Sequence, residues 1–209
     1  GRKMEREEWK KRLLKLKEEE YVIRGSLEHN DEYVDPYRFV PMLFEEAPEN
    51  AVFIPECGAN LIWVMQAYKL KRGQRVMSAW GNSPMGYSLP AAIGARLADP
   101  KVPVIATIGD GGFQMNIQEL QTIVGNNIDI KVFILNNKCY GNIIIGATKE
   151  FNGRAHGNNA ETGYTVPDFI KVAKAYGVDT ETITNNGEIR EKIRSVLQRK
   201  GAVIVDVNI

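Results

Sequence analysis

The stretch Val102-Pro103-Val104-Ile105-Ala106-Thr107-Ile108-Gly109-Asp110-Gly111-Gly112 decides how this chain is read. Residues 102–108 form a nearly continuous apolar run, the pattern of a central strand covered on both faces. The run stops at Gly109-Asp110-Gly111-Gly112, where one carboxylate sits in a loop almost free of side chains. A second apolar run, at 130–135, stops in a similar way at Asn136-Asn137. The 24 residues between Gly111 and Asn136 suffice for one helix and a return into a neighbouring parallel strand. The two polar strand ends would then lie side by side.

The same alternation extends outward in both directions. Further strands are expected at 51–54, 75–79, 178–183 and 202–207. Helical patterns fall at 36–47, 60–69, 84–98, 117–125, 166–176 and 187–199. Pro167 suits a first helical turn and Gly177 a helix stop. Regular alternation of this kind implies an α/β fold: a doubly wound, mostly parallel six-stranded sheet with helices on both faces. Ligands of such sheets sit outside the carboxyl ends of the strands, near a switch in strand order. Four segments that follow strands, 56–60, 80–86, 109–112 and 136–141, are rich in Gly, Asn or Asp and should share that edge.

The N-terminal residues differ from the rest. Lys, Arg, Glu and Leu dominate between Lys3 and Arg24, and Trp9, Leu13 and Leu16 follow the i, i+4, i+7 spacing of one narrow helical stripe. Glu7 with Lys11 and Glu8 with Arg12 add favourable i,i+4 pairs. A solvated helix at the edge of something is expected, because interleaved Glu and Lys argue against a nucleic-acid arm. Residues 24–36 read as a polar connector. The expected organisation is a charged helical linker or extension over 1–33 and one domain over 34–209.

Composition narrows the class. Hydrophobic residues are 44% of the 209, enough for a core, and no run reaches the roughly 18–20 apolar residues of a membrane span. Gly1-Arg2-Lys3 opens a charged run rather than an apolar one, so no signal peptide is expected. A formal net charge of +1 supplies no overall field to recruit nucleic acid or an acidic membrane. Cys57 and Cys139, with His29 and His156, are too few for a disulfide framework or a cysteine- or histidine-rich zinc site. A cytoplasmic domain is expected.

The glycine loops suggest chemistry. Without Cβ atoms, the N–H groups of residues 109–112 can close on a phosphate, and the Asp110 carboxylate can hold a hard cation that bridges to it. Asn137 offers an amide oxygen to the same cation, and Cys139 a backbone carbonyl two residues on; an all-oxygen set suits Mg²⁺ or Ca²⁺ better than Zn²⁺. Each motif alone also reads structurally, Asp110 as the N-cap of a tight strand-to-helix turn and Asn136-Asn137 as a turn or cap. Together, each at a strand end with this gap between them, they favour the ligand reading.

The spacing from Gly109-Asp110-Gly111 to Asn136-Asn137 resembles the signature of thiamine diphosphate-dependent enzymes. The stretches from Gly109 to Leu120 and from Met85 to Ala95 look like the acetolactate synthase branch, and the resemblance covers about 36–209. It implies the diphosphate-binding domain of a 2-keto acid decarboxylating carboligase that uses thiamine diphosphate and Mg²⁺. Asp110, Asn137 and the Cys139 carbonyl would bind the metal. Gly109, Gly111, Gly112, Tyr140 and Gly141 would surround the diphosphate, and Gly58, Ala59 and Asn60 would reach it from the first loop. The synthases usually carry Gln-His where this chain has Ala59-Asn60. Met85 would hold the cofactor in its bent shape, and the backbone near Ser83, where the family more often has glycine, would accept a hydrogen bond from the aminopyrimidine. Gly146 stands where acetohydroxyacid synthases place a substrate-selecting tryptophan, beside Asn142, Ile143 and Ile145. Arg154 and His156 lie nearby and could meet an anionic substrate.

In the family, the activating glutamate belongs to a separate pyrimidine-binding domain. No segment here reads as that domain, neither Glu56 nor Glu119 matches its context, and no catalytic residue is assigned. The implied partners are that missing domain or subunit and a 2-keto acid, in a homo-oligomer. The chain alone would bind cofactor weakly or not at all and would not turn over. Rival readings are a separate subunit of a split decarboxylase and a noncatalytic oligomerisation or regulatory module that retains the fold.

Overall fold

A computed structural model describes residues 2–20 and 32–209. The chain divides into two compact units, Gly1–Asp31 and Glu32–Ile209. In the first, α1 spans Arg2–Glu20, and Trp9, Leu13, Leu14 and Leu16 are exposed on it. Residues 24–31 of the expected connector, His29 among them, lie outside the described residues.

The second unit is built on six parallel strands: β1 (Val52–Pro55), β2 (Arg75–Val76), β3 (Val104–Gly109), β4 (Lys131–Asn136), β5 (Asp179–Ile183) and β6 (Val203–Asn208). Their order is β2-β1-β3-β4-β6-β5, and every neighbouring pair is parallel. Eight α-helices accompany them among the described residues: α2 (Pro36–Glu46), α3 (Gly58–Ala67), α4 (Ser88–Ala98), α5 (Asp110–Met115), α6 (Glu119–Gly125), α7 (Gly141–Glu150), α8 (Phe169–Ala175) and α9 (Ile189–Gln198).

Side-chain alternation along the strands feeds two cores. Phe53, Ile105, Phe133, Leu135 and Val205 face one way and pack with Phe44 of α2, Val64 of α3 and Ile193 of α9. Ile54, Ala106, Ile108, Val132 and Ile134 face the other way and pack with Leu89 of α4, Phe113 of α5, Leu120 of α6 and Phe169 of α8. Each fully buried Phe or Ile contributes roughly 1.5–3 kcal/mol relative to exposure. Phe44 stacks on Phe53 at 3.8 Å, and Phe113 meets Phe169 edge-on at 5.4 Å.

Element ends depart from the sequence expectation where local backbone rules intervene. Pairing of β2 stops after two residues because Trp80 (φ 34°) and Ser83 (φ 41°) bend the following segment away. The same bend, continued by Gly86 (φ 84°), excludes 84–87 from α4. Pro167 is not in a first turn: Asp168 is the N-cap of α8, accepting the Lys171 N–H at 2.9 Å. Gly177 does end α8. With φ 83°, its N–H reaches Lys174 O, and the Val178 N–H reaches Ala173 O, the paired bonds of a Schellman stop. Helices α5 and α7 fall outside the helical patterns expected above, because both begin in the glycine loops.

The winding positions the site. From β1 the chain enters α3 on one face of the sheet, and from the adjacent β3 it enters α5 on the other. That divergence is the switch point where such sheets open a crevice at the strand carboxyl ends.

Candidate functional site

A cavity of about 370 Å³ opens at this switch point. Its walls come from four segments. Gly58, Ala59 and Asn60 follow β1, Ser83 and Met85 follow β2, Gly109 to Gly112 end β3 and start α5, and Asn137 to Gly141 follow β4, contributing Asn137, Cys139, Tyr140 and Gly141. The structure thus brings all the candidate cofactor and metal residues to one cavity. Ile143 and Asn142 also line it, whereas Gly146, Ile145, Arg154 and His156 do not.

Strand register explains the meeting of Asp110 and Asn137. Gly109 of β3 pairs with Leu135 of β4, so both chains leave the sheet at the same level. Asp110 is buried, and its Oδ1 accepts the N–H of Gly111 at 2.7 Å. It is not an N-cap: Gly109 holds that position, and Asp110 is the first residue of α5. The Lys138 and Cys139 N–H groups and the Tyr164 hydroxyl lie near enough to favour the ionised form. No donor, however, meets Oδ2 at hydrogen-bonding geometry among the described residues. Burial therefore dominates and pushes the Asp110 carboxyl up to about 6. A buried carboxylate oxygen left without a partner is costly and fits a cation ligand.

The two asparagines divide their work. Asn136 is buried and its Nδ2 donates to Asp206 Oδ1 at 3.1 Å, tying β4 to β6. Asn137 enters the cavity wall, and its Oδ1 accepts the Cys139 N–H at 3.2 Å. Lys138 between them has φ 56°, which turns the chain sharply after β4. One carboxylate, one amide oxygen and a nearby carbonyl make a hard-cation set to be completed by ligand oxygens and water. Among the described residues there is no cluster of three or more His, Cys, Asp or Glu able to hold a metal.

The cradle is shaped for close approach of a ligand. A Cβ on Gly111 would overlap the Tyr140 ring and come within 3.1 Å of the Met85 methyl carbon. A Cβ on Gly112 would overlap the Glu56 carboxylate. Helices α3 and α7, ten residues each, begin at Gly58 and Gly141 in the cavity wall, and neither has a side-chain cap. Their first N–H groups lack intrahelical acceptors and suit an anion. The residues present therefore fit a Mg²⁺-bound diphosphate.

Other features were not legible as site residues in the sequence. Trp63, five positions after Gly58 on α3, and Leu135 at the end of β4 line the cavity. Asn60, already a candidate from the sequence, turns its Nδ2 to Thr107 O at 2.6 Å, and its Oδ1 is buried without a partner among the described residues. The Tyr164 ring lies tilted against that of Tyr140, with ring centroids 4.2 Å apart, and the Tyr140 N–H donates to Asn158 O at 2.8 Å. Loop 152–165 is thereby fastened beside the metal-binding candidates, a contact that no local pattern announces.

The fold is a parallel, doubly wound α/β domain whose switch-point cavity holds glycines and a buried carboxylate oxygen without a partner among the described residues. Residues 56–207 match the family described as thiamine pyrophosphate enzyme, C-terminal TPP binding domain, and the chain belongs to that family. Among its relatives are the acetolactate synthase large subunit of Cyanidium caldarium, 34% identical over 95% of this chain and 33% of that protein. Acetolactate synthase 1, chloroplastic, of Zea mays is 33% identical over 85% of this chain and 28% of its own length. Acetolactate synthase, chloroplastic, of Arabidopsis thaliana is 33% identical over 84% of this chain and 27% of its own. The chain spans about a third of the length of the curated relatives it matches.

Proposed function

We propose that this chain is the Mg²⁺–thiamine diphosphate-binding domain of a 2-keto acid decarboxylating carboligase of the acetolactate synthase type. The observation that carries the reading is the buried, unpartnered Asp110 Oδ2 beside Asn137 and Cys139 at the switch point. Asp110, the Asn137 amide and the Cys139 carbonyl would hold Mg²⁺. Backbone groups of Gly109, Gly111, Gly112, Tyr140 and Gly141, with Gly58, Ala59 and Asn60, would surround the diphosphate. The Ser83 backbone and the Met85 side chain would orient the two rings. Bound there, the cofactor supplies the electron sink that makes loss of CO₂ from a 2-keto acid feasible. The protein's share would be to hold the metal through Asp110, Asn137 and Cys139, bind the diphosphate through backbone N–H groups and orient the rings through Ser83 and Met85.

A pyrimidine-binding domain or subunit would complete the site with the activating glutamate, and the chain alone would not turn over. A homo-oligomer and a cytoplasmic location belong to the same reading. No helix among the described residues is long and apolar enough to cross a membrane.

Paramagnetic titration tests the metal assignment even at millimolar affinity. Mn²⁺ with inorganic pyrophosphate should broaden the amide resonances of Gly111, Gly112, Lys138 and Cys139 first, and Asp110→Ala should abolish that broadening. First broadening elsewhere, or an unchanged pattern in Asp110→Ala, would overturn the assignment.

A further inference from the structure

Glu56 is the residue after β1, and its side chain is only 2% exposed. It lines the cavity, yet the cofactor reading gives it no task. Its Oε1 accepts the Gly86 N–H at 2.7 Å. Backbone N–H groups of Ser88, Gly109 and Tyr87 also favour its charged form. The carboxylate fills the space that a Cβ on Gly112 would occupy. One buried side chain therefore touches the segment after β2 and the loop after β3.

Gly86 is held from its other side as well. Its carbonyl accepts Asn116 Nδ2 at 2.7 Å. It has φ 84°, and a Cβ there would lie 2.7 Å from Asn116 Nδ2 and 2.9 Å from Met115 Cβ. The peptide units flanking Gly86 are thus clamped between Glu56 and Asn116, and Met85 is the preceding residue. Without the clamp, this segment carries two strained positions, Trp80 and Ser83, and a partly exposed Met85.

We propose that Glu56 is a positioning residue of the cofactor site, tying the Met85–Gly86 turn to the Gly109–Gly112 loop and so setting the distance between the ring-supporting Met85 and the diphosphate cradle. This rests on the cofactor reading above. The carboxylate acts through the two backbone segments it joins. Asn116 shares the task from the opposite side of Gly86.

Two probes separate positioning from general structural support. Mg²⁺–pyrophosphate samples the diphosphate cradle alone, and Mg²⁺–thiamine diphosphate samples the cradle and the ring support together. In Glu56→Gln an –NH₂ group replaces an acceptor oxygen among converging N–H donors. Affinity for thiamine diphosphate should fall about tenfold, as supporting-shell changes commonly do, while pyrophosphate affinity changes less than about twofold. Asn116→Ala, which removes a half-buried side chain and should fold readily, should shift the ratio in the same direction. Equal loss of both ligands, or no loss of either, in both variants would overturn the proposal. Absence of binding of either probe to the wild-type chain follows from the missing pyrimidine-binding domain as well as from a failed cofactor reading, and does not bear on the clamp. The clamp is then decided by amide exchange: Gly86 and Gly109 should both exchange at least tenfold faster in Glu56→Gln, and unchanged exchange at Gly86 would refute it.

Discussion

Burial of Glu56 should leave a measurable mark on stability as a function of pH. Burial pushes its carboxyl from an ordinary 4.5 up to about 7, against the opposing pull of four backbone N–H groups. A carboxyl whose folded pKa is raised binds its proton more tightly in the folded state. Its contribution is fully present below about pH 4.5 and is lost as pH rises through about 7. At roughly 1.4 kcal/mol for each pH unit, the apo chain should lose roughly 2–3 kcal/mol from this group between about pH 5 and pH 8. Asp110, pushed up to about 6, adds a loss of the same sign at lower pH. Glu56→Gln cannot titrate, so the difference between variant and wild type isolates Glu56. Urea unfolding of both proteins across that range gives the two slopes. Wild type should lose roughly 2–3 kcal/mol more than the variant, whatever constant penalty the amide introduces. Parallel pH profiles, or a wild type that gains on the variant as pH rises, would refute a Glu56 buried with a raised pKa.

Three other outcomes follow from the same geometry. Asp110→Asn should stabilise the apo chain by roughly 1–3 kcal/mol above about pH 7, because it removes a buried charge whose Oδ2 has no partner among the described residues; thermal melts with and without Mg²⁺ should show that gain together with loss of any Mg²⁺-dependent stabilisation. Gly112→Ala places a Cβ into the Glu56 carboxylate and should cost about 1–3 kcal/mol, read by denaturant titration. Phe44→Ala removes a fully buried ring stacked on Phe53 and should cost roughly 3–5 kcal/mol with the pyrophosphate affinity of the remaining folded protein unchanged.

The fold was legible because long apolar runs are a strong signal. The central strands lie within two residues of their expected ends, and the site loops were placed on the correct edge by their glycines and asparagines. Pairing of β2 was overestimated because its continuation, Met77 to Ala79, has strand-like composition while the positive φ angles at Trp80 and Ser83 redirect the chain. Serine gives no warning of such a turn, whereas glycine at that position would have adopted it at little cost. Helices α5 and α7 were hidden for a related reason. Their first residues are the glycines that approach the ligand, and glycine lowers helix propensity where function needs a bare backbone. Spacing along the chain singles out Asp110, Asn137 and Cys139 as candidates, and the fold brings them to one cavity. Glu56, Asn116 and Tyr164 act across the fold, between segments 30 to 54 residues apart, as in the Glu56–Gly86 and Asn116–Gly86 bonds. No local pattern encodes such contacts.

In the proposed function, Asp110 would hold the cation through which this chain binds thiamine diphosphate. Calorimetric titration of the chain with thiamine diphosphate, with and without Mg²⁺, in wild type and Asp110→Ala, tests it most directly. Saturable binding, however weak, should require Mg²⁺ and disappear in Asp110→Ala. Binding of equal strength without Mg²⁺, or Mg²⁺-dependent binding that survives in Asp110→Ala, would contradict it.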